Sequence, residues 1–281
     1  MEAAASLVTT LSDPLSFDWR DAPLSDVRTP TVGVCVYVGL VLSLDALCVQ
    51  RRSDGGKGAA AGLSSHIGPI QAVHNALLSV ISLIMLVGTV CEAGRRVAAD
   101  GSALWLVCEV EGTTARGPLY FWVYVYYVSK YWELLDTILQ LLKGRRPPSY
   151  LLHVYHHAGI VLAVWLWIDT VGTLIFVGQV FNCLVHVVMY LYFALKSVGI
   201  DPWWKRYITQ LQIVQFATSF ACAAVTVTLH TTGHRCSGMM GTVVQLAFNA
   251  TLLYGFVGVL SRVRREKMVA KGSGSSSSKT E

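Results

Sequence analysis

This 281-residue sequence predicts an all-α integral membrane protein. Seven transmembrane helices are expected, with spans three to six enclosing a channel that has a polar mouth. Three observations predict it. The chain is 53% hydrophobic and only 14% charged, where a soluble domain carries about 25% charged residues. Apolar runs of roughly 20 residues recur, and a helix of that length crosses about 30 Å of hydrocarbon. The polar residues within those runs gather on single helix faces, as a bundle with a polar interior requires.

The spans follow in order as Pro30–Gln50, Ile67–Val90, Leu119–Leu142, Leu151–Ile168, Val171–Lys196, Tyr207–Leu229 and Gly238–Leu260. Residues 1–29 contain no apolar signal-peptide core, so the first span is expected to act as its own insertion signal. Residues 30–261 form the membrane domain. Residues 262–281 are basic and then rich in Ser and Gly, and the stretch Lys271–Glu281 reads as a disordered tail.

An odd number of spans puts the termini on opposite sides. The loops after spans one, three and five, with the tail, carry 15 of the 22 Lys and Arg residues, and the other side carries 6. The positive-inside rule then makes the tail cytosolic and the N-terminus lumenal. The net charge of +5 lies in loops beside spans, so it does not point to nucleic acid as a partner.

Ionisable groups inside a span are costly unless they face a cavity or a partner. At about 100° per residue, Lys130, Glu133, Asp136 and Thr137 fall on one face of the third span. His153, His156 and His157 share one side of the fourth span, at its cytosolic end. On the fifth, Asn182, His186, Met189 and Tyr190 lie together. On the sixth, Thr209, Gln212, Gln215 and Phe216 do. Each set has a structural alternative: ion pairs that fix packing, interfacial histidines in the headgroups, a histidine strut at His186, or glutamines that join helices. His74 and Asn75 on the second span and Asp45 on the first add polarity that packing alone could explain.

Three histidines invite a metal reading, because HxxHH occurs in di-iron desaturases and hydroxylases. The chain holds eight histidines, and His230 and His234 form an HxxxH. Those two fall at the lumenal end of the sixth span, about 30 Å of bilayer away from the triplet. No metal is therefore expected. Neutral imidazole is a competent base and nucleophile near neutral pH. Cys183, beside Asn182, is the rival nucleophile, and its alternative is a small packing residue.

Four ordered motifs complete the pattern: Lys130-x-x-Glu133-x-x-Asp136-Thr137; His153-x-x-His156-His157; Asn182-x-x-x-His186-x-x-Met189-Tyr190-x-Tyr192; and Thr209-x-x-Gln212-x-x-Gln215-Phe216. In this order they resemble the ELO family of fatty-acid elongases, the membrane 3-ketoacyl-CoA synthases. The stretches LHVYHHA and MYLYF look most like the plant and algal elongases of polyunsaturated acyl chains. Two features depart from the family. Phe193 stands where its Met-Tyr-x-Tyr-Tyr ends in tyrosine, and the dilysine-type retrieval signal is reduced to Lys279.

The resemblance implies a condensation in which acyl-CoA and malonyl-CoA give a 3-ketoacyl-CoA two carbons longer, with release of CO2 and CoA. His156 would be the acyl acceptor, assisted by His153, His157, His186 and Asn182. Lys130, Glu133, Asp136, Thr137, Met189, Tyr190, Gln212 and Gln215 would line the substrate site. It further implies an endoplasmic reticulum location in membrane lipid and no cofactor beyond the two thioester substrates. A ketoacyl-CoA reductase, a dehydratase and an enoyl-CoA reductase would be partners, since no dinucleotide fingerprint is present. Cytosolic basic residues such as Lys143, Arg145, Arg146, Lys205 and Arg206 would attract CoA phosphates, unless they serve only topology. Cys91 or Cys108 is expected to pair with Cys236 in the oxidising lumen. Rival classes are a di-iron enzyme and a seven-helix receptor or transporter. Chain length, unsaturation preference and oligomeric state, a homodimer included, stay open.

Overall fold

A computed structural model describes residues 10, 12–50 and 59–276. For residues 50, 59–66, 260, 262–264, 266–267 and 269–276 it describes the backbone alone. Arg51, Arg52, Lys57, Lys279 and the side chain of His66 therefore lie outside the described residues.

The described chain is helical: α1 Arg28–Leu44, continued by a π-helical turn Asp45–Gln50, then α2 Ala59–Asp100, α3 Gly117–Glu133 and α4 Leu135–Leu142. There follow α5 Tyr150–Asp169, α6 Ile175–Ser197, α7 Lys205–Thr231 and α8 Met239–Ser276. Six helical stretches are long and apolar enough to cross a membrane: 28–49, 67–100, 150–169, 175–197, 205–231 and 239–259. They match six of the seven expected spans. The third expected span is divided. It breaks at Leu134 into α3 and α4, and the break falls inside the polar motif, between Glu133 and Asp136.

Boundaries moved for local reasons. The second span extends into a 42-residue helix, about 63 Å at 1.5 Å per residue and far longer than a bilayer core. Its last turns carry Arg95 and Arg96. Arg96 makes two hydrogen bonds, of 2.6 and 2.8 Å, to the carboxylate of Glu109, which is 1% exposed. The fifth span starts at Ile175 rather than Val171, because residues 170–174 form the turn that closes α5. Gly172 N–H reaches the Trp167 carbonyl and Val171 N–H that of Ile168, the paired bonds of a Schellman stop. Val171 takes the left-handed position itself, with φ 51°. The same stop, with glycine in the left-handed position, ends α4 at Gly144, α6 at Gly199 and α7 at Gly233. The last helix continues to Ser276. Its basic run RVRREKMVAK has good helix formers and no breaker.

The segment 13–27 packs against one end of the bundle. Trp19 N–H donates to the Ala115 carbonyl and its indole to Asp169, while Trp165 donates to the Ser25 carbonyl. Tyr124 and Tyr127 donate to the carbonyls of Pro23 and Leu24. Cys108 and Cys236 form a disulfide at the same end, and Cys91 is free and exposed. Of the two expected pairings, the fold makes the one with Cys108. Thr173, just past α5, accepts from Glu109 N–H and donates to the Ser237 carbonyl. That places the disulfide at the C-terminal end of α5. The three histidines sit at its other end, with His156 thirteen residues or about 20 Å from Asp169.

Candidate active site

The buried centre of the site is a lysine. Lys130 on α3 is 1% exposed. Its ammonium donates to Glu133 Oε1 at 2.6 Å and to Asn182 Oδ1 at 3.1 Å, and lies 4.0 Å from the centre of the Tyr126 ring. Tyr126 OH also donates to Asn182 Oδ1, at 2.9 Å. An ammonium has only donors, so the atom of Asn182 that it touches must be the carbonyl oxygen. The amide is thereby oriented, and among the described residues its NH2 group has no acceptor.

Asn182 and His156 line one cleft, a cavity of about 50 Å3 that is partly open to the outside. Gln215 and Phe216 from α7 also line it, with Ile160 and Trp167 from α5 and Val177, Gly178 and Phe181 from α6. Gln245, Phe248, Asn249 and Leu252 come from α8. The walls therefore differ from those expected. Spans four to seven form them, and the third span contributes Tyr126 alone. The polar face of the third span is turned instead toward α6, α2 and α1, where it braces the helices behind the cleft.

The histidines divide between wall and interior. His156 faces the cleft, with its ring parallel to Phe248 at 6.2 Å between centres. His157 is buried behind it, 5.4 Å from the His156 ring and 4.3 Å from that of His153. His186 Nδ1 lies 3.3 Å from Glu133 Oε1, close enough for ion pairing but too poorly aligned for a hydrogen bond. Among the described residues, Glu133 Oε2, His153 Nε2, His157 Nδ1 and His186 Nδ1 are buried without hydrogen-bond partners. Four such atoms from three of the motifs are unusual, because buried polar atoms are almost always paired.

Asp136 and Thr137 serve a neighbouring network. Asp136 accepts from Tyr190 OH and contacts His74 Nε2, each at 2.7 Å. Trp132 donates to His74 Nδ1 at 3.0 Å. This sets the tautomer, with the proton on Nε2 donated to Asp136. Thr137 pairs with Tyr37 on α1 at 2.7 Å. Met189 and Gln212 are half-buried and do not line the cleft. Cys183 is 1% exposed and also absent from its walls, so the structure gives it a packing position. His230 and His234 lie beyond the disulfide end, away from the triplet. Among the described residues no three His, Cys, Asp or Glu side chains converge as metal ligands.

Near the histidine end, Arg146 makes two hydrogen bonds, of 2.7 and 2.8 Å, to Asp45, and Lys143 is hydrogen-bonded to Gln71. The Asp45 carboxylate holds the Arg146 guanidinium above its ordinary pKa. Burial pushes the Lys143 ammonium below its own, with Arg145 adding to the shift. Arg206 donates to Tyr207 OH at 2.7 Å, so three of the five expected phosphate-attracting cations are engaged with partners inside the protein.

The sequence reading missed Tyr126, Ser219, Gln245, Phe248 and Asn249. Tyr126 was hidden in an aromatic run. Gln245 and Asn249 are four apart, on one face of the last span, and that spacing could have marked them.

The matching family decides the assignment. The ELO family, described as GNS1/SUR4, matches residues 22–268. The chain belongs to the ELO family. A Dictyostelium discoideum relative, provisionally named a fatty acid elongase, is 34% identical over 208 residues, 73% of this chain and 66% of its own. Fatty acid elongase sre1 of the same organism is 32% identical over 211 residues, 73% of each chain. Very long chain fatty acid elongase 2 of Mus musculus is 30% identical over 212 residues, 72% of this chain and 68% of its own. The chain thus spans about two thirds of the first of these relatives.

Proposed function

We propose that this ELO-family chain is the condensing enzyme of fatty acid elongation, a 3-oxoacyl-CoA synthase acting through an acyl-histidine. One observation carries the reading. His156 and the oriented Asn182 amide share the wall of a single cleft, and among the described residues neither the imidazole nor the NH2 group has a hydrogen-bond partner.

In the first half-reaction an imidazole nitrogen of His156 attacks the thioester carbonyl. The C–N bond forms, the C–S bond breaks, and CoA leaves as thiolate. The Asn182 NH2 donates to the oxygen on which negative charge develops. Lys130 and Tyr126 hold that donor in place. In the second half-reaction malonyl-CoA loses CO2, and the resulting enolate carbon attacks the acyl-imidazole. A C–C bond forms, the C–N bond breaks, and His156 returns to its starting state. The atoms balance between the two substrates. His157, packed against His156, positions its ring. His153 and His186 complete the polar shell, and the cleft beyond takes the acyl tail.

The same proposal covers the membrane frame. Counted as one unit, α3 and α4 run from Gly117 to Leu142, about 39 Å, and make the seventh crossing. In this reading the disulfide end is lumenal, since such bonds persist in oxidising compartments, and the positively charged end is cytosolic. Both features support a cytosolic position for His156 and residence in the endoplasmic reticulum. CoA then reaches the site from the cytosol, and a reductase, a dehydratase and an enoyl reductase complete each cycle. Polyunsaturated long-chain acyl-CoA is the preferred substrate in this reading.

Intact-protein mass spectrometry tests the mechanism. Wild type incubated with acyl-CoA alone should gain the acyl mass, and His156→Ala should not. Wild type that turns over with malonyl-CoA yet never shows the adduct would exclude the covalent route.

A further inference from the structure

The wall formed by α7 and α8 carries a second polar group, separate from the reacting end of the cleft. Ser219 on α7 accepts a hydrogen bond from Asn249 Nδ2 at 2.8 Å and another from Gln245 Nε2 at 3.4 Å, both on α8. A serine oxygen has two lone pairs and one proton. Both lone pairs are taken, so only the O–H remains to be used. Among the described residues it has no acceptor, and the carbonyl oxygens of Gln245 and Asn249 have no donor. The Gln215 carboxamide, one helical turn before Ser219, also has no partner among the described residues. All four side chains line the cleft.

Helix packing sets their depth. Phe248 fills a notch at Gly159, where an added Cβ would come within 2.5 Å of its ring. Gly159 lies three residues, about 4.5 Å, beyond His156 along α5. Asn249 follows Phe248 on α8, and Gln245 lies one turn deeper. Gln245 Nε2 is 3.6 Å from where a Cβ on Gly178 would stand. Beyond it the walls are apolar, with Trp167, Leu174 and Val177. The band therefore faces the part of a bound chain nearest the carboxyl end. A plain alkyl segment there leaves a hydroxyl and two or three amides without partners, in a setting where unpaired polar groups are disfavoured.

We propose that Ser219, Gln245 and Asn249 form a specificity site for acyl chains with a hydrogen-bond acceptor in their carboxyl-proximal half. The acceptor can be an oxygen substituent or the π-electrons of cis double bonds. The proposal rests on reading the cleft as the acyl chamber. It adds which chains that chamber selects and which side chains select them.

The test uses the purified full-length protein with four acyl-CoAs of equal chain length. These are saturated, polyunsaturated with carboxyl-proximal cis bonds, monounsaturated near the methyl end, and hydroxylated near the carboxyl end. Two quantities are read for each: thermal stabilisation by the acyl-CoA alone, and kcat/KM for condensation with malonyl-CoA. The expected result is a three- to tenfold advantage for at least one carboxyl-proximal acceptor over the saturated chain, the size of one added hydrogen bond. Ser219→Ala and Asn249→Leu should each bring that ratio toward one, and Ser219→Thr should preserve it. A higher ratio for the hydroxylated chain identifies oxygen as the acceptor, and a higher ratio for the polyene identifies π-electrons. Equal values for all four chains in wild type would overturn the proposal. So would an unchanged ratio in Ser219→Ala or, should that variant not fold, in Gln245→Leu. If no chain condenses but the order of stabilisation holds, the condensation reading fails and the specificity site stands.

Discussion

Lys130 shows how one residue organises several others. A buried ammonium is tolerable only when its charge and its protons are matched, and here Glu133, the Asn182 carbonyl and the Tyr126 ring match them. The Asn182 orientation follows from this pairing rather than from Asn182 itself. Replacing Lys130 with Met strands the Glu133 carboxylate. That should cost about 3–5 kcal/mol, visible as a lower Tm, together with slower acylation as the amide loses its anchor. Asn182→Ala removes the donor proposed for the oxyanion. Its kcat should fall by about 10²–10³, read by single-turnover kinetics, with acyl-CoA binding largely kept. An Asn182→Ala enzyme with a normal acylation rate would remove that residue from the chemistry.

At the scale of elements, glycines decide how closely helices approach and how far the cleft extends. A Cβ at Gly88 on α2 would stand 2.1 Å from the Trp122 ring on α3. Gly88→Ala should therefore destabilise the bundle by about 1–3 kcal/mol through overpacking, measured as a Tm shift with unchanged product lengths. Gly178 behaves differently. A Cβ there meets Trp167 at 3.5 Å and Gln245 at 3.6 Å, ordinary contact distances, so Gly178→Ala should be tolerated. Gly178→Phe projects a ring into the cleft and should shorten the longest product in cells fed a range of fatty acids. An unchanged product profile would show that the tail does not pass Gly178.

For the whole molecule, the Cys108–Cys236 bond closes 128 residues of sequence and ties the α7–α8 turn to the segment before α3. Cys236→Ser should lower the Tm, by roughly 2–4 kcal/mol of stability. It should also leave Cys108 open to alkylation without prior reduction. Orientation has its own measurement. A glycosylation acceptor placed in the 111–116 loop should be modified in microsomes, and one placed in the 143–149 loop should not. The reverse pattern would invert the proposed topology.

Much of this was readable before any tertiary structure. Six of the expected spans reappear as helices, because hydrocarbon thickness ties span length directly to runs of apolar residues. His156, Asn182 and Gln215 do meet at one cleft, and the family follows from the same ordered motifs. Tertiary structure decided which helices enclose that cleft. Periodicity assigned the polar face of the third span to the interior, but only packing turns Lys130 toward Asn182 and Asp136 toward His74 and Tyr190. It also separated His156 on the wall from His157 behind it, neighbours that lie about 100° apart on the helix. The choice of Cys108 over Cys91, and the convergence of Ser219 with Gln245 and Asn249, join residues distant in sequence. The physical reason is the same in each case. A single helix specifies its own faces, whereas the partner of each face is set by how glycine notches and bulky rings of separate helices fit together.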